Sequence, residues 1–223
     1  SKITNANEVF EALAKGYSKF TDIFDQSHVS SSPTLAAVLE KLIKMEVITK
    51  IAPINDRTNK KKAGYYISDN LSLFYYRYIF RYSSQLRIMD SEIFYKKYIE
   101  KDFEANYVPH IFEDICKQYL IRKNVAGQIE PVIEEIGKYY YDNPSQHTNG
   151  EFDVVTKDEN GYVFYEVKFK KKQITDEVIE KEIQQVNATG MKCYKYVFFP
   201  RSGFNSKERE DVQLIPLDNL YID

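Results

Sequence analysis

Residues 151–169 constrain the fold more than any other stretch of this 223-residue chain. Phe152 and Val154 flank Asp153, while Val163, Tyr165, Val167 and Phe169 alternate with Glu166 and Lys168. Successive side chains leave a strand on opposite sides, so alternation of period two marks strands with distinct faces. Between the two runs lies Asp158-Glu159-Asn160-Gly161, turn chemistry that closes a hairpin. A slip of one residue would turn every side chain over, so the pattern specifies the register as well as the strands.

That register decides which charged groups meet. With Asp158 to Gly161 as the loop, Lys157 pairs with Tyr162 and Asp153 lies opposite Glu166, their Cβ atoms ~5 Å apart. Lys168 stands on the face of Glu166, ~7 Å along the strand. A tighter Asn160-Gly161 turn pairs Asp153 with Lys168 instead, and the three side chains still share a face. Opposed carboxylates repel unless something compensates. A divalent cation does so: Mg²⁺ typically takes one or two carboxylates and completes its shell with water and phosphate oxygens. A lysine beside it can stabilise negative charge on a scissile phosphate or orient an attacking water. Asp followed by Glu-x-Lys is thus a complete set for metal-assisted phosphodiester hydrolysis, and equally a solvated strand face closed by a salt bridge.

The flanking segments place the hairpin in an α/β lobe beginning near Ala105. Val108, Ile111, Phe112, Ile115, Tyr119 and Leu120 space a helix, with Pro109 tolerated in its first turn. Strands follow over 136–141, 151–156 and 162–169, then a helix over 176–188 through Ile179, Ile183 and Val186, then a strand over 194–200. Residues 212–215 add a further strand, and 143–150, with His147, read as a polar connection. The order is α-β-β-β-α-β.

Upstream, residues 1–70 read as a winged helix-turn-helix: helices over 7–14 and 19–26, a third starting at Ser32-Pro33, and a hairpin. Ser32 is a good cap, and Pro33 lacks only an N–H that would be orphaned anyway. Leu35, Val38, Leu39, Leu42 and Ile43 make the third helix's apolar stripe. A strand at 47–51 and another at 64–67 enclose a basic loop with Arg57, Lys60, Lys61 and Lys62, suited to phosphate contact. The solvent face of the third helix carries Lys41 and Lys44 but also Glu40 and no Arg. The module therefore serves either DNA contact or an interdomain, regulatory role. Aromatic helical stripes over 71–104 read as a connector between the lobes.

Lys+Arg total 31 against 33 Asp+Glu, a net charge of −2 that excludes a globally basic nucleic-acid binder but not a local basic patch. No apolar run reaches membrane-spanning length and no signal peptide opens the chain, so no membrane partner and a cytoplasmic location are expected. Ser1 in place of Met reads as a fragment or a trimmed chain. Cys116 and Cys193 read as buried thiols in a reducing compartment, and His28, His110 and His147 are too scattered for a structural zinc site.

Phe112-Glu113, Ile136-Gly137, Phe152-Asp153-Val154-Val155, Glu166-Val167-Lys168 and Phe199-Pro200-Arg201-Ser202-Gly203-Phe204 carry a resemblance. Residues 105–223 resemble the restriction-endonuclease-like PD-(D/E)XK nucleases. The whole chain resembles the C-terminal region of archaeal-type AAA+ ATPases, in which a P-loop ATPase precedes a winged helix and a nuclease-like domain. The resemblance implies Asp153 and Glu166 as Mg²⁺ ligands (Mn²⁺ as a substitute), Lys168 as the catalytic lysine, and Glu113 on the first helix as support for the metal. It also implies DNA and an upstream ATPase domain as partners. Phe152 stands where the motif usually has Pro. No GxxxxGK[ST] occurs, so these residues bind no ATP through a P-loop. Lys168, Lys170, Lys171 and Lys172 could line a phosphate track or form a solvated strand end, and Gln184 or Gln185 matches a glutamine that some relatives place near the site.

Overall fold

The computed structural model describes residues 2–59, 61–143 and 148–221, and it divides into units Ser1–Lys101 and Asp102–Asp223. Lys60 and His147 lie outside the described residues.

In the first unit the apolar stripes do what their spacing predicts. Helices α1 (Lys2–Ala14), α2 (Phe20–Ser27) and α3 (Ser32–Lys44) bring Val9, Leu13, Ile23, Leu35, Leu39 and Leu42 into one core. Strands β1 (Ile48–Ile51) and β2 (Gly64–Ile67) follow as an antiparallel pair with Ile48 opposite Ile67, and Ile48 joins that core. The cap of α3 is Ser31, one residue before the expected Ser32. Its Oγ accepts from the Thr34 N–H at 3.3 Å. Pro is tolerated at either of the first two helical positions, so Pro33 alone does not locate the start.

The aromatic stretch expected to connect two lobes packs within this unit. It runs through α4 (Asn70–Phe74), a π-helical turn (Tyr75–Ile79), a 3-10 turn (Phe80–Tyr82), α5 (Ser83–Ile88) and α6 (Ser91–Tyr98). Tyr76 stacks on Phe10 with centroids 4.6 Å apart and donates its hydroxyl to Asn7 Oδ1. Arg77 donates to the Ala14 carbonyl at 2.6 Å, satisfying an acceptor that the end of α1 leaves open. The boundary between units falls in α7 (Glu100–Asp102).

The second unit is a mixed sheet with helices. After α8 (Val108–Val125) come β3 (Glu135–Asn143), β4 (Thr148–Asp158), β5 (Gly161–Lys168), β6 (Ile174–Thr175), α9 (Asp176–Ala188), β7 (Cys193–Pro200), β8 (Phe204–Asn205) and β9 (Val212–Leu214). The five-stranded sheet is ordered β3-β4-β5-β7-β9, antiparallel across β3-β4-β5 and parallel across β5-β7-β9. The short β6 and β8 pair separately. One face carries Val154, Val163, Tyr165, Val197 and Phe199 under Phe112, Cys116 and Leu120 of α8. α9 buries Ile179, Ile183 and Val186, and its Asn187 accepts from the Tyr196 hydroxyl of β7 at 2.8 Å.

Two features depart from the expected strands. β3 and β4 run on past 141 and before 151, so Asn143 pairs with Thr148 where a polar connection was expected. Backbone pairing needs no apolar side chains, which is why period-two reading missed it. Second, Gly137 pairs with Val155 but Tyr139 pairs with Phe152, so β4 holds one extra residue between Phe152 and Val155. The alternation assumed through Phe152, Asp153 and Val154 breaks at this bulge. Phe152 packs its ring on Phe164 at 5.1 Å, whereas Val154 belongs to the core beneath α8.

Candidate functional site

The β4-β5 register is the one in which Lys157 pairs with Tyr162. Asp158 itself pairs with Gly161, leaving Glu159 and Asn160 as the loop. Gly161 has φ +134°, a conformation open to glycine and strained for other residues. The ladder reaches Val154 opposite Tyr165, and Asp153 and Glu166 follow directly after that pair. The bulge falls at this point, consistent with the tendency of bulges to re-aim side chains beside functional clefts.

Asp153, Glu166 and Lys168 line one cavity of about 300 Å³, joined by Glu113 from α8 and by Glu182 and Gln185 from α9. Four separate elements thus contribute polar side chains to one place. Gln184 is exposed and does not line it. Glu151 adds a fifth carboxylate, against Lys168 as the one basic side chain of the lining among the described residues.

The lysine is not paired with Asp153. Lys168 Nζ sits 2.6 Å from Glu166 Oε1 and 2.6 Å from Glu182 Oε1, all three side chains mostly buried. Asp153 pairs with Lys138 of β3. The repulsion expected between Asp153 and Glu166 is therefore offset by a separate lysine at each carboxylate. Burial pushes the Glu166 carboxyl up to about 6 against the pull of Lys168, with Glu182 and Glu113 adding to the rise. Desolvation works to lower Lys168, but Glu166 and Glu182 together outweigh it and hold the ammonium above its usual value. A proton thus binds Glu166 readily, while Lys168 stays charged.

Glu182 and Lys138 escaped the sequence reading. Glu182 left a trace: it lies three residues after Ile179 and four before Val186, inside the stripe α9 buries, where a carboxylate needs a partner. Lys138 left none, because its place opposite Asp153 depends on the bulge.

Among the described residues no three His, Cys, Asp or Glu groups are gathered as a ready metal cage. The donor chemistry still suits a hard cation held by two carboxylates, Asp153 and Glu166, with water and substrate oxygens filling its shell. Elsewhere, Lys170, Lys171 and Lys172 are exposed just beyond β5, and the Ser202 hydroxyl donates to the Lys170 carbonyl at 2.7 Å. The Arg201 guanidinium lies 4.4 Å from the Phe169 ring. In the first unit's loop, Arg57 and Lys61 are exposed, while Lys62 is tied to Asp56 at 2.9 Å. Cys116 is buried and Cys193 half-buried, both as free thiols. Among the described residues no helix is long and apolar enough to cross a membrane.

Comparison with known proteins gives relatives rather than an activity. The chain is 28% identical over 222 residues to an uncharacterized protein of Methanocaldococcus jannaschii, MJECL04, covering 97% of this chain and 48% of that protein. It therefore spans about half the length of that relative. The crystal structure of protein VC1899 from Vibrio cholerae aligns over 98% of this chain and 52% of its own, at 12% identity and a TM-score of 0.30, too low to support an argument. A family pattern matches residues 75–186, half of the chain, which includes Glu113, Asp153, Glu166, Lys168, Glu182 and Gln185. The chain belongs to DUF234, a family of archaeal and bacterial proteins of unknown function.

Proposed function

We propose that Asp153, Glu166 and Lys168 form a Mg²⁺-dependent phosphodiesterase site acting on DNA, in the C-terminal half of a longer protein whose other half is an ATPase. The observation that carries this reading is the shared cavity, where the β4-β5 hairpin and two helices present five carboxylates and one lysine. In this reading the second unit is a nuclease-like domain and residues 1–70 are a winged helix-turn-helix, whose exposed Arg57 and Lys61 would meet the backbone of a duplex. Lys170 and Lys171 extend the phosphate track beside the cavity.

Mg²⁺ bound by Asp153 and Glu166 would supply charge neutralisation at the scissile phosphate and a more acidic water. The chain's own groups do the rest. Glu182 and Glu166 hold Lys168 Nζ in place and keep it protonated, so its charge is aimed where the phosphate gains negative charge. With Glu166 holding a cation, Glu182 would remain the anchor of Lys168. Gln185, one turn further along α9, can donate to a phosphate or water.

The test is cleavage of plasmid and of short duplex and single-stranded DNA with Mg²⁺ or Mn²⁺, against EDTA. Activity that needs the metal and drops ~10²–10³-fold in Lys168→Ala is expected. A second reading rests on the same contacts: with Lys138 on Asp153 and Lys168 on two glutamates, each of these three carboxylates already has a cationic partner, as in a non-catalytic DNA- or protein-binding module that regulates the ATPase. Calorimetry showing no Mg²⁺ or Mn²⁺ binding at millimolar concentration, with and without DNA, selects that reading.

A further inference from the structure

The second unit holds another cavity of about 310 Å³, on the α8 face at the far end of the β4-β5 hairpin from Asp153 and Glu166. Asp153 and Asp158 are five residues apart on β4, which places the two sites ~15 Å apart along the strand. This cavity takes no part in the reading above, and its walls are chemically unlike those around Asp153.

Its interior has hydrogen-bonding capacity left over. Thr156 is fully buried and Tyr165 is 7% exposed, both line the cavity, and they share one hydrogen bond of 3.2 Å. Two hydroxyls own two protons, and one bond uses one. With Thr156 donating to Tyr165, the Tyr165 phenol proton has no acceptor among the described residues. A phenol keeps its proton at any ordinary pH, so Tyr165 remains a donor. Asp158, 5% exposed, supplies the opposite function: it accepts from the Asn160 N–H at 2.8 Å and the Tyr194 hydroxyl at 2.5 Å, leaving lone pairs on both oxygens. A ligand filling this space must offer an acceptor to Tyr165 and a donor to Asp158.

The remaining walls narrow the class further. Tyr119 and Tyr194 add aromatic surface, and Lys123 and Lys195, both half-buried, add two cations. Lys123 Nζ stands 5.8 Å from the Tyr119 ring centroid. A flat heterocycle with adjacent donor and acceptor, carrying an anionic group, satisfies all of these at once. The volume is at the lower end of the range for small-ligand pockets. We propose that this cavity binds a nucleotide, with the edge of its base read by Tyr165 and Asp158 and its phosphate held by Lys123 and Lys195. The nucleotide can come from free solution or from a nucleic-acid strand.

The experiment titrates the full chain in EDTA with AMP, GMP, CMP and UMP, with the four matching nucleosides, and with a short mixed-sequence single strand, by isothermal calorimetry. EDTA keeps a metal-dependent Asp153-Glu166 site silent, so failure here and failure of the nuclease reading are separable. Binding of at least one mononucleotide, weakened ~3–10-fold by Tyr165→Phe through the lost hydrogen bond, is expected. Lys123→Ala should weaken the mononucleotide but leave its nucleoside unchanged. If the strand binds and the mononucleotide displaces it, the source is nucleic acid; if only the mononucleotide binds, the source is the free pool. Tyr165→Phe keeps the ring that packs on Phe199, and should it fail to fold, the surface variant Lys123→Ala still decides. No binding of any of these compounds at millimolar concentration, or binding indifferent to both substitutions, overturns the proposal.

Discussion

Glu166 should make the protein more stable as the solution becomes mildly acidic. Its carboxyl ordinarily titrates near 4.5 and is pushed to about 6 in the folded chain, chiefly by burial. Between those values the native state holds a proton that the unfolded chain has released. Stability from this group therefore rises as pH falls from above 6 to below 4.5. At 1.36 kcal/mol for each tenfold step in acidity, the full change is about 2 kcal/mol. Many other carboxylates titrate in the same window, so the group must be isolated by difference. Glu166→Gln keeps the shape and removes the titration. Urea unfolding of both proteins at pH 7.5 and pH 4.5, in EDTA, should show wild type gaining about 1–2 kcal/mol relative to the variant on acidification, short of the full change because at pH 4.5 the unfolded carboxyl is already half protonated. A ¹³C titration of the Glu166 carboxyl by NMR checks the same value directly. Parallel pH profiles, or a carboxyl titrating at 4.5 or below, would refute the account of Glu166 as a buried acid incompletely compensated by Lys168. A bound divalent cation favours the ionised form, so Mg²⁺ should stabilise wild type more at pH 7.5 than at pH 5, and Glu166→Gln at neither.

Other substitutions test other links. Asp153→Asn should lose at most ~1 kcal/mol in EDTA, because it breaks a half-exposed pair with Lys138; a higher melting temperature would mean that repulsion from Glu166 dominates instead. The same variant should lose any rise in melting temperature that Mg²⁺ gives wild type. Ser31→Ala should cost ~1 kcal/mol by removing the cap of α3, whereas Ser32→Ala should stay within ~0.5 kcal/mol; equal losses in urea unfolding would mean the cap is wrongly placed. Phe199→Ala should cost ~3–5 kcal/mol, since Phe199 is fully buried between the rings of Tyr119 and Tyr165; a loss under ~1 kcal/mol by the same measurement would contradict the packing described.

The local patterns were legible in the sequence because they depend on residues close together in the chain. The period-two runs and the turn residues between them narrowed the β4-β5 register to two, of which the structure adopts the one pairing Lys157 with Tyr162, and in either they put Glu166 and Lys168 on one face. The apolar stripes determined α3, α8 and α9, and the order α-β-β-β-α-β implied a mixed sheet with helices. Even there, end points were less certain than cores: the cap of α3 moved by one residue, and β3 and β4 grew by several through backbone pairing that no side-chain pattern announces.

What tertiary structure alone decided is which charges neutralise which. Alternation names the residues on a face but says nothing of a residue three strands or one helix away. The bulge in β4 depends on its pairing with β3, and Asp153 at that bulge meets Lys138, whose charge offsets the repulsion from Glu166. Lys168 finds Glu182 because the chain crosses from β5 through α9 to the parallel strand β7, bringing the buried face of α9 over the strand ends. The second cavity likewise joins Tyr119 of α8 to β4, β5, β7 and Gln213 of β9, which is 94 residues away. Charge compensation acts through space, so its partners become readable only once the fold has brought distant segments together.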